Sequence, residues 1–342
     1  MSRWYEEPGP QGDVVLCTRV RLARNLGGVP FPSRMSVGDR RAAAERIRAA
    51  ALGENSSLSS CFRYLDMESA SKSEAVSLVE RQLVSPDFIS EKLGRALLLG
   101  DDESSAVMIN DGDHVRIQTI AGGLQPDAAY AAADRLDTIL DKSLHFAFDG
   151  ELGYLTEDPI NLGTGMLASL DLHLPALSDS GAIGRISSSL ARLGLSMRGT
   201  FGSGLEPKGA VYRLSNQVTL GITEREALSN LNSIAMQIVG QEREAREKLA
   251  RELSVQDTVG RSYGILKTAR LLTYDEFLEF ISVVRFGVAV GLIREIGYGE
   301  IGKLSMRVRP ATLTRESGRE LTAEERHELR AKVVGEALNR IA

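Results

Sequence analysis

Cysteine, histidine and long apolar runs are scarce in this chain of 342 residues. Its two cysteines, Cys17 and Cys61, make no disulfide framework or zinc cluster, and its four scattered histidines add no ligand spacing, so no structural metal is expected. No stretch approaches the roughly 20 apolar residues of a bilayer crossing. The opening MSRWYEEPGP lacks the apolar core of a signal peptide, so a cytoplasmic protein with no membrane attachment is expected. Excess positive charge is missing as well. A net charge of −5 disfavours a general nucleic-acid binder, although local arginine clusters remain free to hold a phosphate-bearing ligand. The remaining composition is that of a globular protein long enough for two domains.

The most informative stretch runs from Gly153 to Leu177, GYLTEDPINLGTGMLASLDLHLPAL. Gly163, Thr164 and Gly165 permit backbone geometry and close approaches that bulkier residues forbid, and Pro159 holds the entry extended. Met166, Ala168, Leu170, Leu172 and Leu174 then alternate with Ser169, Asp171 and His173, which suits a strand with one buried face. Upstream, DVVLCTRVRLAR at 13–24 places Arg19 and Arg21 two apart, so in a strand both guanidinium groups leave the same face. Two cations on one face suit an anion, and a solvated edge strand explains the spacing equally well. Residues 110–118, NDGDHVRIQ, read as a turn leading into a strand that carries Arg116. Asp-Gly is a common turn dipeptide that needs no function, and His114 stays open between a site residue and a hydrogen bonder within the turn.

Helical patterning covers 36–52 with Ser36 as cap, two segments within 71–93 split at Ser85-Pro86, then 125–144 and 180–193. A long helix opens on a Thr223–Glu226 capping box and runs to about Leu253. Short apolar runs at 95–99 and 105–110 read as neighbouring strands joined by a solvated acidic turn, Gly100 to Glu103. Further strands are expected at 195–201 and within 210–221, the latter closing the sheet. Beyond Ser254 helical patterning is continuous apart from a break at Arg309-Pro310, which places a domain boundary between 13–253 and 254–342.

Several of these segments, in order and across nearly the whole chain, resemble the ATP:guanidino phosphotransferases, and most of all their bacterial protein-arginine kinase branch. The resemblance rests on Asn161 before Gly163-Thr164-Gly165, the strand ending His-Leu-Pro-Ala-Leu, Thr18-Arg19-Val20-Arg21, LVERQLVSPD, the 110–118 turn, the Arg198-to-Glu206 stretch and AVYRLSNQVTLG. It implies an α/β (α+β) fold, an antiparallel sheet flanked by helices, followed by an all-helical C-terminal domain that dimerises. It implies transfer of the ATP γ-phosphoryl group, with Mg2+, to an arginine side chain of a protein. Arg19, Arg21, Arg116 and Arg198 would hold the nucleotide phosphates together with Asn161 and the Gly163-Thr164-Gly165 loop. Arg326 and Arg330 would bind phosphoarginine, with His327 between them where the family carries aspartate; a surface charge stripe is the plain alternative. A zinc-binding activator protein and an AAA+ unfoldase of protein quality control are the implied partners.

The chain also departs from the family pattern. Asp158 replaces a reactive cysteine, Leu167 replaces a phosphate-binding arginine, and Gln82 replaces a nucleotide-contacting histidine. Gly112 and Ser203 replace the two glutamates that orient the guanidinium and take its proton. The expectation is therefore a catalytically degenerate homologue that binds ATP, ADP or phosphoarginine and acts as a regulatory protein. The alternative is an active phosphotransferase with a rearranged site, in which Asp158, Asp111, Asp113 or Glu206 supplies the missing carboxylates.

Overall fold

Eight strands joined in antiparallel pairs form the central sheet. The computed structural model describes residues 3–54, 56–200 and 207–340. In chain order the elements are β1 (Val15–Arg24), α1 (Val37–Leu52), β2 (Phe62–Asp66), α2 (Lys72–Glu80), α3 (Pro86–Ser90), β3 (Ala96–Gly100), β4 (Ser105–Asp111), β5 (Asp113–Gly122) and α4 (Pro126–Leu144). A short hairpin, β6 (Phe148–Asp149) and β7 (Gly153–Tyr154), leads to β8 (Met166–His173), α5 (Pro175–Asp179), α6 (Ile183–Ala191), β9 (Leu195–Gly199), β10 (Val211–Asn216) and α7 (Glu224–Leu249). The rest is helical: α8 (Leu253–Thr268), α9 (Tyr274–Ala289), α10 (Tyr298–Arg307), α11 (Pro310–Ser317) and α12 (Ala323–Arg340). The strands lie in the order β2-β3-β4-β5-β1-β8-β10-β9.

Local sequence explains most element starts. Ser36, Ser71, Thr223 and Thr273 each accept from the backbone N–H three residues on, while the acidic residue there bonds back to the cap. One sheet face buries Val20, Leu22, Val107, Ile117, Ala168 and Leu170 against α1, α4 and α7. On the opposite face, α2 and α3 cover the β2–β4 end through Leu78, Phe88, Leu97 and Met108. The helices beyond α7 enclose a separate core that includes Phe277, Val284, Leu313 and Val334.

Several expectations need correction. β8 is buried on both faces rather than one, because Asp171 and His173 are covered by polar partners: Asp171 takes Arg213, and His173 Nε2 meets Ser282 Oγ of α9 at 2.8 Å. The acidic turn after β3 is not simply solvated, since Glu103 is buried against Arg81. The sheet's edge is β9, with β10 inside it, and α7 ends at Leu249. The apolar stretch from Val283 to Leu292 packs mostly into the chain's own helical core, with Leu292 exposed.

Polar contacts join the helical part to the sheet. The Glu80 carboxylate accepts from the Ala311 and Thr312 N–H groups at 2.9 and 2.8 Å, capping the first turn of α11. In α7, buried Arg246 donates to Glu242 at 2.7 Å and to the His173 carbonyl at 2.8 Å.

Candidate functional site

Pairing register puts a band of arginines on the sheet face opposite α1, α4 and α7. Arg21 of β1 stands across from Gln118 of β5 and Leu167 of β8, and Ala23 from Arg116. Farther along, Cys17 is opposite Asp171, Asp171 opposite Arg213 of β10, and Arg213 opposite Arg198 of β9. Directly paired residues point to one side of a sheet, so Arg19, Arg21, Arg116, Arg213 and Arg198 share this face. Four of the five lie close enough to act on one another. Arg198 is the outlier, exposed on the edge strand three strand spacings, roughly 14 Å, from β1.

The arginines differ in how they are satisfied. Arg213 makes a two-pronged bond to Asp171 at 2.7 and 2.9 Å. Burial pushes the Asp171 carboxyl up, but Arg213 and Arg19 more than offset this and hold it below its usual range. Arg19, buried, donates to the Gln82 side-chain oxygen and lies 3.8 Å from Asp171. Gln82 thus occupies a left-handed turn position, φ 64°, as an acceptor for Arg19. Arg21 has no hydrogen bond or ion pair among the described residues. Burial first, and then the neighbouring charges of Arg19, Arg116 and Arg213, push its guanidinium down to about 9. Such crowded cations favour a polyanion that would neutralise them together.

At the turn between β4 and β5, Asp111 and Asp113 are both buried and both serve Arg116. Its guanidinium donates to Asp111 at 2.9 Å and to Asp113 at 3.4 Å. Asp113 also accepts from Asn25 at 2.7 Å and from the Glu157 N–H at 2.9 Å. Gly112 lies between them at φ 72°, and a Cβ built there would sit 3.3 Å from the Arg116 guanidinium. A side chain at 112 would therefore meet this cation, and none is present. His114 belongs to the turn's framework: its Nδ1 lies 2.9 Å from Asn25 Oδ1, and burial pushes it down to about 4.

The Gly163-Thr164-Gly165 loop is fixed by close backbone approach. A Cβ on Gly163 would lie 2.1 Å from the Thr219 carbonyl oxygen, and one on Gly165 would lie 2.7 Å from that of Ala23. Thr164 donates its N–H to Thr219 and accepts the Met166 N–H on its hydroxyl. The Asn161 side chain is half-buried and makes no hydrogen bond among the described residues. Asp158 is exposed and caps the turn Pro159–Asn161, accepting the Ile160 N–H at 3.1 Å. Its remaining lone pairs face solvent, so it is available to a guanidinium in a way that Asp111 and Asp113 are not. Glu206 and Ser203 lie outside the described residues.

The C-terminal pair separates. Arg330 is 1% exposed and donates to the Val308 and Leu272 carbonyls, both at 2.8 Å, so it braces the helical core. Half-buried Arg326 donates to the Leu321 carbonyl at 2.6 Å. Sequence reasoning did not single out the Arg213–Asp171 pair. Arg213 lies on a strand read only as scaffold, and its partner is 42 residues away. Among the described residues no group of three His, Cys, Asp or Glu side chains could hold a metal ion.

Comparison with known proteins bears on the whole chain. The model of the ATP:guanido phosphotransferase C-terminal catalytic domain matches residues 43–245, and that of the Protein-arginine kinase McsB C-terminal domain matches residues 252–342. The chain is 41% identical to a protein-arginine kinase of Symbiobacterium thermophilum over 97% of its own length and 95% of that protein. It is 38% identical to one of Halothermothrix orenii over 99% and 97%. Among solved structures, lombricine kinase superposes with a TM-score of 0.60 at 23% identity, covering 69% of this chain and 68% of that one. The duplicated taurocyamine kinase from Schistosoma mansoni with bound transition state analogue components gives 0.62 at 21%, covering 83% and 48%. These two likenesses carry the fold. With the family models and the full-length relatives, the conclusion is that the chain belongs to the ATP:guanido phosphotransferase family, in its protein-arginine kinase branch.

Proposed function

We propose that this protein binds ATP or ADP on the arginine face and transfers phosphate to protein arginine poorly, acting as a nucleotide- or phosphoarginine-binding regulatory member of its family. The observation that carries the reading is the contrast between Arg21, crowded by Arg19, Arg116 and Arg213 with no ion pair of its own among the described residues, and Gly112, which adds no further carboxylate to the Asp111 and Asp113 already engaged by Arg116. A guanidinium is protonated near neutral pH and becomes nucleophilic only after losing a proton, so a placed base is indispensable for phosphotransfer. The rest of such a reaction is positioning and charge neutralisation. Arg19, Arg21, Arg116 and Arg198 suit the nucleotide phosphates, with Asn161 and the glycine loop beside them. Mg2+ would arrive with the nucleotide, where it neutralises phosphate charge.

A second reading is supported by the open lone pairs of Asp158. In it, Asp158 anchors or deprotonates the acceptor guanidinium and the enzyme remains active. A phosphoarginine assay with purified protein, Mg-ATP and an arginine-rich protein separates the two. Little or no product supports the first; robust product that vanishes in Asp158→Ala replaces it with the second. A cytoplasmic homodimer and contacts with an activator protein or an unfoldase complete the proposal. Light scattering showing a monomer, or a pull-down recovering neither partner, would remove those parts.

A further inference from the structure

Large apolar side chains exposed to solvent are ordinary when scattered and informative when gathered. Six of the twelve in the described chain, Phe148, Leu152, Ile160, Leu193, Val218 and Leu220, belong to segments that meet at or beside the glycine loop. The backbone contacts show how. The Tyr154 N–H donates to the Gly163 carbonyl at 2.8 Å, and the Tyr154 ring holds Phe148 edge-on at 5.2 Å. The Thr219 hydroxyl donates to the Ile160 carbonyl at 2.7 Å, and a Cβ on Gly163 would lie 2.8 Å from the Leu220 Cα. Phe148 and Ile160 are 63% and 62% exposed, so none of this packing covers them.

One segment of this surface carries charge of one sign. From Phe146 to Leu162 the chain has Asp149, Glu151, Glu157 and Asp158 and no Lys, Arg or His. None of the four makes an ion pair among the described residues; Asp149 and Asp158 accept only backbone N–H groups. The surface is tied directly to the arginine face, because the Glu157 N–H donates to Asp113, which in turn holds Arg116.

We infer that this apolar, acidic surface around Gly163 is the seat of the polypeptide that presents arginine to the site, and that it selects an extended, cationic segment with large apolar residues beside the arginine. The inference rests on the reading that the site receives protein arginine. The acids match the charge of the segment and speed its encounter, while Phe148, Leu152, Ile160 and Leu220 bury its apolar neighbours and supply selectivity. Free arginine, with no flanking side chains, gains nothing from this surface.

The test uses the full chain and two labelled peptides of equal charge, one with Leu and Phe beside its arginine and one with Gly and Ser. Binding is read by fluorescence anisotropy, and ATP binding is measured in parallel. The expected result is a preference of about tenfold for the apolar-flanked peptide, the scale one or two apolar contacts give. The triple variant Phe148→Ser, Leu152→Ser, Leu220→Ser should erase it while ATP still binds. Equal affinity of the unmodified chain for both peptides, or a preference that survives the triple variant, overturns the inference. Failure of both peptides while ATP binds overturns it and leaves the nucleotide reading standing; peptide preference without ATP binding does the reverse. A dimer that dissociates in the triple variant with peptide affinity unchanged would make the surface a contact between two copies and also overturn it.

Discussion

The proposed phosphate side and the proposed acceptor side of the candidate site are built differently. The phosphate side stands on paired strands, where register alone places Arg19, Arg21, Arg116 and Arg213 on one face, and where Gln82 and Asp171 hold Arg19. The proposed acceptor side stands on turns: Gly112 at φ 72° and Asp158 at the start of a single helical turn. Asp158 caps its turn through one backbone hydrogen bond, so replacing it costs the fold little, whereas removing Arg213 or Arg116 leaves buried partner carboxylates unpaired. The charges of Asp171, Arg213, Arg116, Asp111 and Asp113 are thus tied to the fold, and that of Asp158 is independent of it.

The comparison breaks most visibly on the phosphate side. Replacing Arg116 and Arg198 together by alanine should weaken ATP binding by roughly 10³-fold or more, two charge-assisted contacts being lost at once. Equilibrium dialysis checks this, and unchanged affinity would mean that the nucleotide does not use this face. Acid should strike the framework beneath the acceptor turn. His114 is held neutral down to about 4, and burial together with the charges of Arg246 and Arg285 also holds His173 well below its ordinary value. Above pH 6.5 both histidines are neutral folded or unfolded and contribute no pH dependence. Between pH 6.5 and 4 the unfolded chain gains protons that the folded chain refuses, so stability falls as pH drops. His114 alone accounts for roughly 3 kcal/mol of that loss. Urea unfolding from pH 7 to 4 should show it, and a flat midpoint would contradict the burial of these rings.

Smaller effects sharpen the contrast. Leu167→Arg adds a fifth cation opposite Arg21 and should tighten ATP binding by about tenfold, with a lower melting temperature in the absence of ligand from the added repulsion. Thermal shift with and without ATP reads both signs. Asp158→Ala should change ATP affinity less than about twofold, because its carboxylate contacts only the Ile160 N–H. A large loss there would place Asp158 on the phosphate side.

Much of the fold was legible because local physics dominated it: the Ser36 and Thr223 caps, Pro86 at a helix start, and the arginine spacing in β1 all read correctly. The long-range polar pairs were not. Nothing near Glu103 announces Arg81, nothing near Asp171 announces Arg213, and Glu80 caps a helix more than 200 residues away. Buried ion pairs have no periodicity, so the Gly100–Glu103 turn and the polar face of β8 both read as solvated. The matched motifs pointed to arginines that the register brings onto one sheet face. Arg330 shows the limit of that route, since the motif places it beside Arg326 while the fold turns its guanidinium onto two core carbonyls.

Calorimetric titration of Mg-ATP into the unmodified protein tests the central claim most directly. The account predicts saturable binding of one nucleotide per chain, weakened at high salt and present whether or not phosphoarginine is formed. A titration without binding heat across several temperatures, with no thermal stabilisation by ATP, would contradict it.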